Sequence, residues 1–145
     1  MSAVGLPIVF VDLDGTVLRC RAGRRAMLDA VEDVAGRPAS DADRATFTGR
    51  TDAFIAAELL RRAGHAADAE DVARVHARYL ERLADELPVQ GCFALPGAVE
   101  LGRALADAAR AGRCAPPLLL TGNLREGARR KLLAAGLLDV YGHAG

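Results

Sequence analysis

The stretch Ile8-Val9-Phe10-Val11-Asp12-Leu13-Asp14-Gly15-Thr16 decides the fold of this chain. Its first four residues form a continuous apolar run, and turn-forming polar residues follow directly. Such a run predicts a short strand that is buried on both faces, as in a parallel sheet covered by helices. Asp12 and Asp14 leave the end of this strand two positions apart. We therefore expect their side chains on the same side, with Cα atoms roughly 7 Å apart.

A second strand of the same kind is predicted towards the other end of the chain. Leu118-Leu119-Leu120 lies between two prolines and the polar triplet Thr121-Gly122-Asn123. In open parallel sheets, ligands bind at the carboxyl ends of the strands. The two polar clusters are therefore expected to meet at one edge of the sheet.

The residues between the predicted strands have helical periodicity. Apolar side chains recur at helical spacing up to Gly36, over residues 51–63, and from Val72 to a helix end at Pro88. A last helix with apolar positions at Ala128, Leu132 and Ala135 precedes Gly136.

Ser40 followed by Asp43 predicts the start of one more short helix. Together these patterns predict an α/β core that is interrupted by an all-helical insert. Residues 1–18 and 91–145 form the core, and residues 19–90 form the insert, a helical cap that we call the insert throughout.

The composition is that of an ordinary folded domain. The 145 residues include 19 basic and 19 acidic side chains, and 51% of the residues are hydrophobic. The balanced charge gives no reason to expect nucleic acid or an anionic membrane as a partner. No apolar run approaches the ~20 residues that a membrane span needs. The first residues have no basic flank, so we expect no secretory signal.

Three cysteines, Cys20, Cys92 and Cys114, are scattered along the chain. Their odd number and irregular spacing argue against a disulfide framework and favour a reducing cytoplasm. Cys20 is predicted to be a small buried apolar residue. The histidines His65 and His76 have no acidic or cysteine partner at metal-ligand spacing, and His143 lies in a terminus expected to fray, so we do not expect them to be metal ligands.

Paired carboxylates at a strand end can divide the work of catalysis. One remains ionised as a nucleophile or metal ligand, and the other takes and gives protons. A hard cation such as Mg²⁺ would hold the first carboxylate near a phosphate. Thr121 offers a hydroxyl, and Lys131, the only lysine of the chain, could neutralise a phosphoryl group and keep Asp12 ionised.

Each of these features taken alone has a simpler interpretation. Asp-x-Asp-Gly is a common turn sequence or a fragment of a calcium loop. The Thr121 triplet alone is typical of a turn, and Lys131 alone is typical of a solvated helix. The functional hypothesis rests on their joint pattern: a strand, paired acids, a helical insert, a second strand that ends in threonine, and a lysine ten residues later.

Over nearly its whole length this pattern resembles the haloacid dehalogenase superfamily, in particular its phosphoglycolate phosphatase-like branch. That resemblance implies a Rossmann-like core with a parallel sheet. It also implies that Asp12 is the nucleophile, forming an aspartyl-phosphate, and a Mg²⁺ ligand. Asp14 would be the general acid and base and would bind Mg²⁺ through its backbone carbonyl. Thr121 resembles the phosphoryl-binding residue of the second motif, and Lys131 resembles the lysine of the third.

The resemblance also implies a set of substrate contacts. Gly49-Arg50-Thr51-Asp52 is similar to the cap segment that faces the substrate, which makes Arg50 a candidate contact. Thr16, Gly122 and Asn123 complete the expected substrate-binding set with Thr121.

The family's fourth motif, which supplies further acids for Mg²⁺, has no counterpart after Lys131, where only Asp139 follows. The sequence is therefore interpreted as a chain truncated before that motif, with an incomplete core. We expect weak Mg²⁺ binding, little activity of the chain alone, and self-association through an open edge of the sheet.

The function predicted from the sequence is Mg²⁺-dependent hydrolysis of a phosphomonoester through an aspartyl-phosphate. The expected partner is a small phosphorylated metabolite, with no nucleic acid and no membrane, and the expected location is the cytoplasm. Three alternatives remain open: an inactive truncated fragment that acts as a binding or interaction module, a haloacid dehalogenase, and a phosphomutase.

Overall fold

The computed structural model of the protein describes residues 5–38 and 47–142. Strand β1 (Phe10–Val11) pairs in parallel with strand β4 (Leu118–Leu119), and Phe10 lies opposite Leu118. The predicted pairing of the two strands is therefore confirmed. The carboxyl ends of both strands lie at the same edge, because parallel strands run in the same direction.

Only one face of this strand pair is covered by the residues that the structure describes. Val9, Val11 and Leu119 pack into a hydrophobic core, whereas the alternate side chains are exposed by 57% at Ile8, 56% at Phe10 and 64% at Leu120. The prediction of strands buried on both faces is therefore wrong for this part of the chain. Successive side chains of a strand point to opposite faces, and the helices described here cover only one of them.

The covered face packs against the three helices that follow the insert in the chain. They are α4 (Ala98–Arg110), α5 (Arg125–Ala134) and α6 (Leu138–Tyr141). They contribute Ala98, Leu132 and Tyr141 to the same core. The Tyr141 hydroxyl donates a hydrogen bond of 2.6 Å to the Ala98 carbonyl, which ties α6 to the start of α4.

The insert contains three helices, α1 (Ala22–Ala35), α2 (Asp52–Arg62) and α3 (Ala69–Gln90), which pack around a second hydrophobic core. The predicted helices are confirmed at these places. The helix predicted after Ser40 falls on residues 39–46, outside the described residues. The two parts of the protein meet where the Arg130 guanidinium of α5 donates a hydrogen bond of 2.7 Å to the Leu80 carbonyl of α3.

Helix α3 does not end at Pro88, as predicted, but continues to Gln90. Proline costs a helix one hydrogen bond, because it has no amide hydrogen. Pro88 lies in the last turn, and the Gly91 amide still bonds to the Leu87 carbonyl at 3.0 Å. The helix therefore ends at Gly91, whose φ is 76°.

Strands β2 (Leu18–Cys20) and β3 (Cys92–Ala94) form an antiparallel ribbon that the sequence did not predict. Cys20 lies opposite Cys92, with Cα atoms 4.1 Å apart, and the two residues form a disulfide. The expectation that the cysteines form no disulfide, and that Cys20 is a free apolar residue, is therefore wrong. The physical reason is the ladder, which places the two cysteines side by side although 72 positions separate them.

Within the described residues, no helix combines the length and the apolar character that crossing a membrane would require. The observed architecture is a mixed α/β fold with a small parallel strand pair and an all-helical insert.

Candidate functional site

The residues predicted to form the site converge on one cavity of about 1190 Å³ at the carboxyl ends of β1 and β4. Seven of the eight predicted residues line it: Asp12, Asp14, Arg50, Thr121, Gly122, Asn123 and Lys131. Thr16 is exposed and is not among the lining residues. Because residues of the insert form part of the wall, the cavity lies between the insert and the edge of the sheet.

The Asp14 carboxylate is the centre of a polar network. The Lys131 ammonium donates to both of its oxygens, at 3.2 and 3.1 Å, and the Asn123 amide donates to it at 2.6 Å. Lys131 also donates to the Asn123 side-chain oxygen. Lys131 is only 5% exposed, and a buried cation requires such compensation. The sequence suggested that Lys131 would serve Asp12, but the structure pairs it with Asp14.

Thr121 is held with its hydroxyl oxygen as an acceptor. The side-chain amide of Asn123 donates to that oxygen at 2.7 Å, and the Asn123 backbone amide donates at 3.3 Å. The hydroxyl hydrogen therefore remains for donation to a ligand oxygen. Asn123, which is also predicted to bind substrate, connects Asp14, Thr121 and Lys131.

Asp12 differs from Asp14 in its surroundings. Its side chain is exposed in the cavity, and no described residue donates a hydrogen bond or forms an ion pair with it. An ionised carboxylate without a partner can act as a nucleophile or bind a hard cation.

The fit of Mg²⁺ to this site can be judged from the available donors. Mg²⁺ prefers oxygen ligands and commonly keeps several waters, with one or two carboxylates from the protein. Asp12 supplies one such carboxylate at the wall of the cavity, whereas the Asp14 carboxylate already accepts from Lys131 and Asn123. In the described part of the chain, no group of three or more acidic, histidine or cysteine side chains is arranged to hold a metal. The residues therefore fit a largely hydrated Mg²⁺ ion.

Arg50 lies at the cavity wall, and its guanidinium stacks on the Phe54 ring at 4.8 Å from the ring centroid. Three further arginines line the same cavity: Arg19, Arg21 and Arg24. Arg25, by contrast, pairs with Asp29 at 2.9 Å and does not line this cavity. The wall formed by the insert is thus rich in cations, which suits an anionic ligand.

Asp52 is a part of the site that sequence reasoning missed. It is 7% exposed, and its carboxylate accepts a hydrogen bond of 2.7 Å from the Leu124 amide. Burial raises the pKa of the Asp52 carboxyl, and the Leu124 amide and the nearby Lys131 charge oppose this shift only in part. The only sequence signal was its place beside Arg50 in the cap segment.

The raised pKa of Asp52 leads to a prediction about stability and pH. A carboxyl group whose pKa is higher in the folded protein loses stabilising free energy as the pH rises from 3.8 through the folded-state value. Asp52→Asn keeps an oxygen acceptor but does not titrate. In denaturant unfolding, the stability of this variant relative to wild type should therefore increase as the pH rises above 3.8. A relative stability that is constant or falls would contradict the prediction.

The chain is similar to known proteins in its structure but has no significant match in sequence. No family model matches the chain, and no curated protein sequence matches it significantly. Among solved structures, a predicted phosphoglycolate phosphatase from Haemophilus somnus 129PT is similar, with a TM-score of 0.61, 18% identity and 94% of this chain covered.

Two further structures agree with the first. CbbY from Rhodobacter sphaeroides, in complex with phosphate, has a TM-score of 0.59 at 15% identity and covers 93% of this chain. A haloacid dehalogenase-like hydrolase from Streptococcus pneumoniae has a TM-score of 0.54 at 14% identity and also covers 93%. The chain spans 60%, 60% and 58% of the length of these three proteins. With its strand pair, its helical insert and its acids at the strand end, the chain has the fold of the haloacid dehalogenase-like hydrolases.

Proposed function

We propose that the protein is a Mg²⁺-dependent phosphomonoester hydrolase that forms an aspartyl-phosphate on Asp12. The observation that carries this proposal is the contrast between the two acids at the end of β1. Asp12 lies in the cavity without a partner among the described residues, whereas Asp14 is held by Lys131 and Asn123. The binding of phosphate by CbbY, which has the same fold, supports a phosphorylated ligand.

In the proposed reaction, an oxygen of Asp12 attacks phosphorus and the bond from phosphorus to the ester oxygen breaks. Asp14 in its protonated form donates its proton to the departing oxygen. Asp14 then accepts a proton from a water molecule that attacks the phosphorus of the aspartyl-phosphate. This second attack restores the Asp12 carboxylate and releases phosphate, so both acids return to their starting forms.

The other residues of the cavity bind and orient the phosphoryl group. The Thr121 hydroxyl donates to a phosphoryl oxygen, and Lys131 places a positive charge beside the site. Mg²⁺, held by Asp12 and the main-chain carbonyl of Asp14, would supply charge neutralisation between the carboxylate and the phosphate. The arginines of the insert would hold the rest of a small phosphorylated metabolite.

The direct test is hydrolysis of an aryl phosphate by the chain, with and without Mg²⁺. We expect release of the aryl alcohol that requires Mg²⁺ and is lost on addition of a chelator. Absence of turnover at every Mg²⁺ concentration would favour a second candidate, an inactive binding module. That candidate is supported by the described residues, among which no group of three or more acidic, histidine or cysteine side chains is arranged to hold a metal. Binding of inorganic phosphate without turnover would identify it.

The other two alternatives are separated by products. A haloacid dehalogenase would release halide from a 2-haloacid, and a phosphomutase would return an isomeric phosphate ester without free phosphate. The presence of Asp14 two residues after Asp12 favours hydrolysis, because protonating an alcohol leaving group requires an acid and expelling a halide does not.

Asp14→Asn provides a test of the proton transfer. We expect it to slow hydrolysis of an alkyl phosphate by ~10²–10⁴-fold, because the leaving alkoxide then departs without a proton. A nitrophenyl ester should be affected less in its first step, since nitrophenolate leaves readily without protonation. Equal rates of wild type and variant with the alkyl ester would contradict the role of Asp14.

Arg50→Ala provides a test of the substrate contact. We expect KM to rise about tenfold, because a charged hydrogen bond to the substrate is lost, while kcat changes little. Arg25→Ala is the matched control, since Arg25 pairs with Asp29 and is not among the lining residues of the cavity. A larger effect on kcat than on KM would place Arg50 in a different role.

We also propose that the protein acts on a small metabolite without nucleic acid or membrane partners.

Within the described residues, β1 has a single strand partner, β4, and Ile8 and Phe10 are more than half exposed. This edge supports self-association, which sedimentation over a range of concentrations would detect. The cytoplasmic location stays a prediction, and the Cys20–Cys92 disulfide removes one of its supports.

A further inference from the structure

Two hydrogen bonds at Asp52 join the first residue of α2 to the loop that follows β4. The Asp52 backbone amide donates to the Gly122 carbonyl at 2.8 Å. The Asp52 carboxylate accepts from the Leu124 amide at 2.7 Å. Leu124 directly precedes α5, so the carboxylate of an insert residue binds one of the amides that a helix start leaves without an internal partner.

The same contact requires glycine at position 122. A Cβ atom there would lie 2.6 Å from the Arg50 carbonyl oxygen and 2.8 Å from the Thr51 Cα. Both obstacles are backbone atoms, which cannot move aside as the end of a side chain can. The close approach of the two segments therefore depends on a residue from each: Asp52 of the insert and Gly122 of the loop after β4.

The residues tied together by this contact are those of the candidate site. Gly122 lies between Thr121 and Asn123, which bind each other, and Asn123 also donates to Asp14. Helix α5, which starts after Leu124, carries Lys131. On the other side, Arg50 precedes Asp52 by two residues and lines the same cavity.

We propose that Asp52 is a positioning residue that fastens the insert to the site. Its two hydrogen bonds hold the Thr121–Asn123 loop and the start of α5 in register with Arg50. A phosphate ester is thereby bound by the sheet edge and by the insert at the same time. The structural part of this proposal is independent of the function, whereas its effect on turnover rests on the proposed hydrolase activity.

Hydrogen exchange of the Leu124 amide tests the structural part without any assay of activity. In Asp52→Ala the amide loses its acceptor, and we expect its exchange to become about tenfold faster. Asp52→Asn keeps an oxygen acceptor, and its exchange should remain within about threefold of wild type. Gly122→Ala should accelerate exchange as Asp52→Ala does, because the added methyl group forces the two segments apart.

A matched control separates this local effect from a general loss of stability. Asp68 caps α3 in the same way, accepting from the Asp71 amide at 2.8 Å, but it does not line the cavity. Asp68→Ala therefore removes a similar hydrogen bond from the insert. The exchange rate of the Leu124 amide should not change beyond what the change in global stability accounts for. If Asp68→Ala accelerates Leu124 exchange as much as Asp52→Ala does, or if Asp52→Ala and Asp52→Asn behave alike, the proposal is overturned.

Kinetics test the functional part. With a phosphate ester large enough to reach the insert, Asp52→Ala should raise KM and lower kcat together, by about tenfold each, and Asp52→Asn should restore most of both. Unchanged kinetics of Asp52→Ala would overturn the positioning role. If the wild-type chain has no turnover, the proposed function fails, and the exchange measurement still decides whether Asp52 holds the loop.

Discussion

Replacing Asp12 with asparagine is expected to abolish turnover while leaving the fold unchanged. The amide has nearly the same shape as the carboxylate but is a poor nucleophile. Losses of this kind in covalent catalysis reach about 10⁴-fold or more. The side chain is exposed and has no partner among the described residues, so its loss should cost little stability.

The measurement is the rate of aryl phosphate hydrolysis, alongside thermal unfolding of wild type and variant. Matching unfolding curves with no turnover would support Asp12 as the nucleophile. Activity of Asp12→Asn within tenfold of wild type would contradict the assignment. Asp139→Asn is a suitable control, because Asp139 is also an exposed acid but lies on α6 and does not line the cavity.

Reduction of the Cys20–Cys92 disulfide is expected to cause the largest change in stability. The bond closes a loop with a sequence separation of 72, and the chain-entropy model gives a stabilisation of about 4 kcal/mol for a loop of that size. Denaturant unfolding should therefore show a lower midpoint in the presence of a dithiol reductant. The dithiol reductant is itself oxidised to a disulfide, and the protein disulfide is reduced to two free thiols.

The Cys20→Ser, Cys92→Ser double variant is the control, because it should unfold at the reduced midpoint and should not respond to the reductant. Cys114 is buried and free, so it contributes no second disulfide in the described residues. Identical midpoints of the wild type with and without reductant would show that the disulfide does not stabilise the fold.

The strand ends and their acids were predictable from the sequence, because the necessary signals are local. An apolar run followed by Asp12 and Asp14, and a second run followed by Thr121, were enough to place these residues together. Parallel strands connected through helices bring their carboxyl ends to one edge. The convergence of Lys131 on the same edge followed from the helix that begins after the second strand.

The partners of these side chains were harder to predict. The Asp14–Lys131 pair depends on where one long side chain ends, which spacing along the chain does not determine. The same holds for Asp52, whose acceptor role depends on the approach of two segments that are 72 positions apart. The residue type alone does not show whether an aspartate is buried, as Asp52 is, or exposed, as Asp12 is.

The ribbon of β2 and β3 escaped prediction for a related reason. Each strand has three residues, which is too short to show an alternating pattern. Exposure of one sheet face was missed as well, because an apolar run predicts two covered faces whether or not helices are present to cover them. Prediction was thus reliable for local periodicity and failed where distant segments decide the outcome.

The ribbon has a consequence for how such a protein can change over evolution. The insert leaves the rest of the chain at Cys20 and returns at Cys92, and the two Cα atoms are only 4.1 Å apart. A segment whose ends lie this close can be replaced by another segment without pulling β2 and β3 apart, provided that the new segment holds the Leu124 amide as Asp52 does. The helices above the cavity can therefore be exchanged as one module, so that new substrates can be acquired while the acids beneath stay in place.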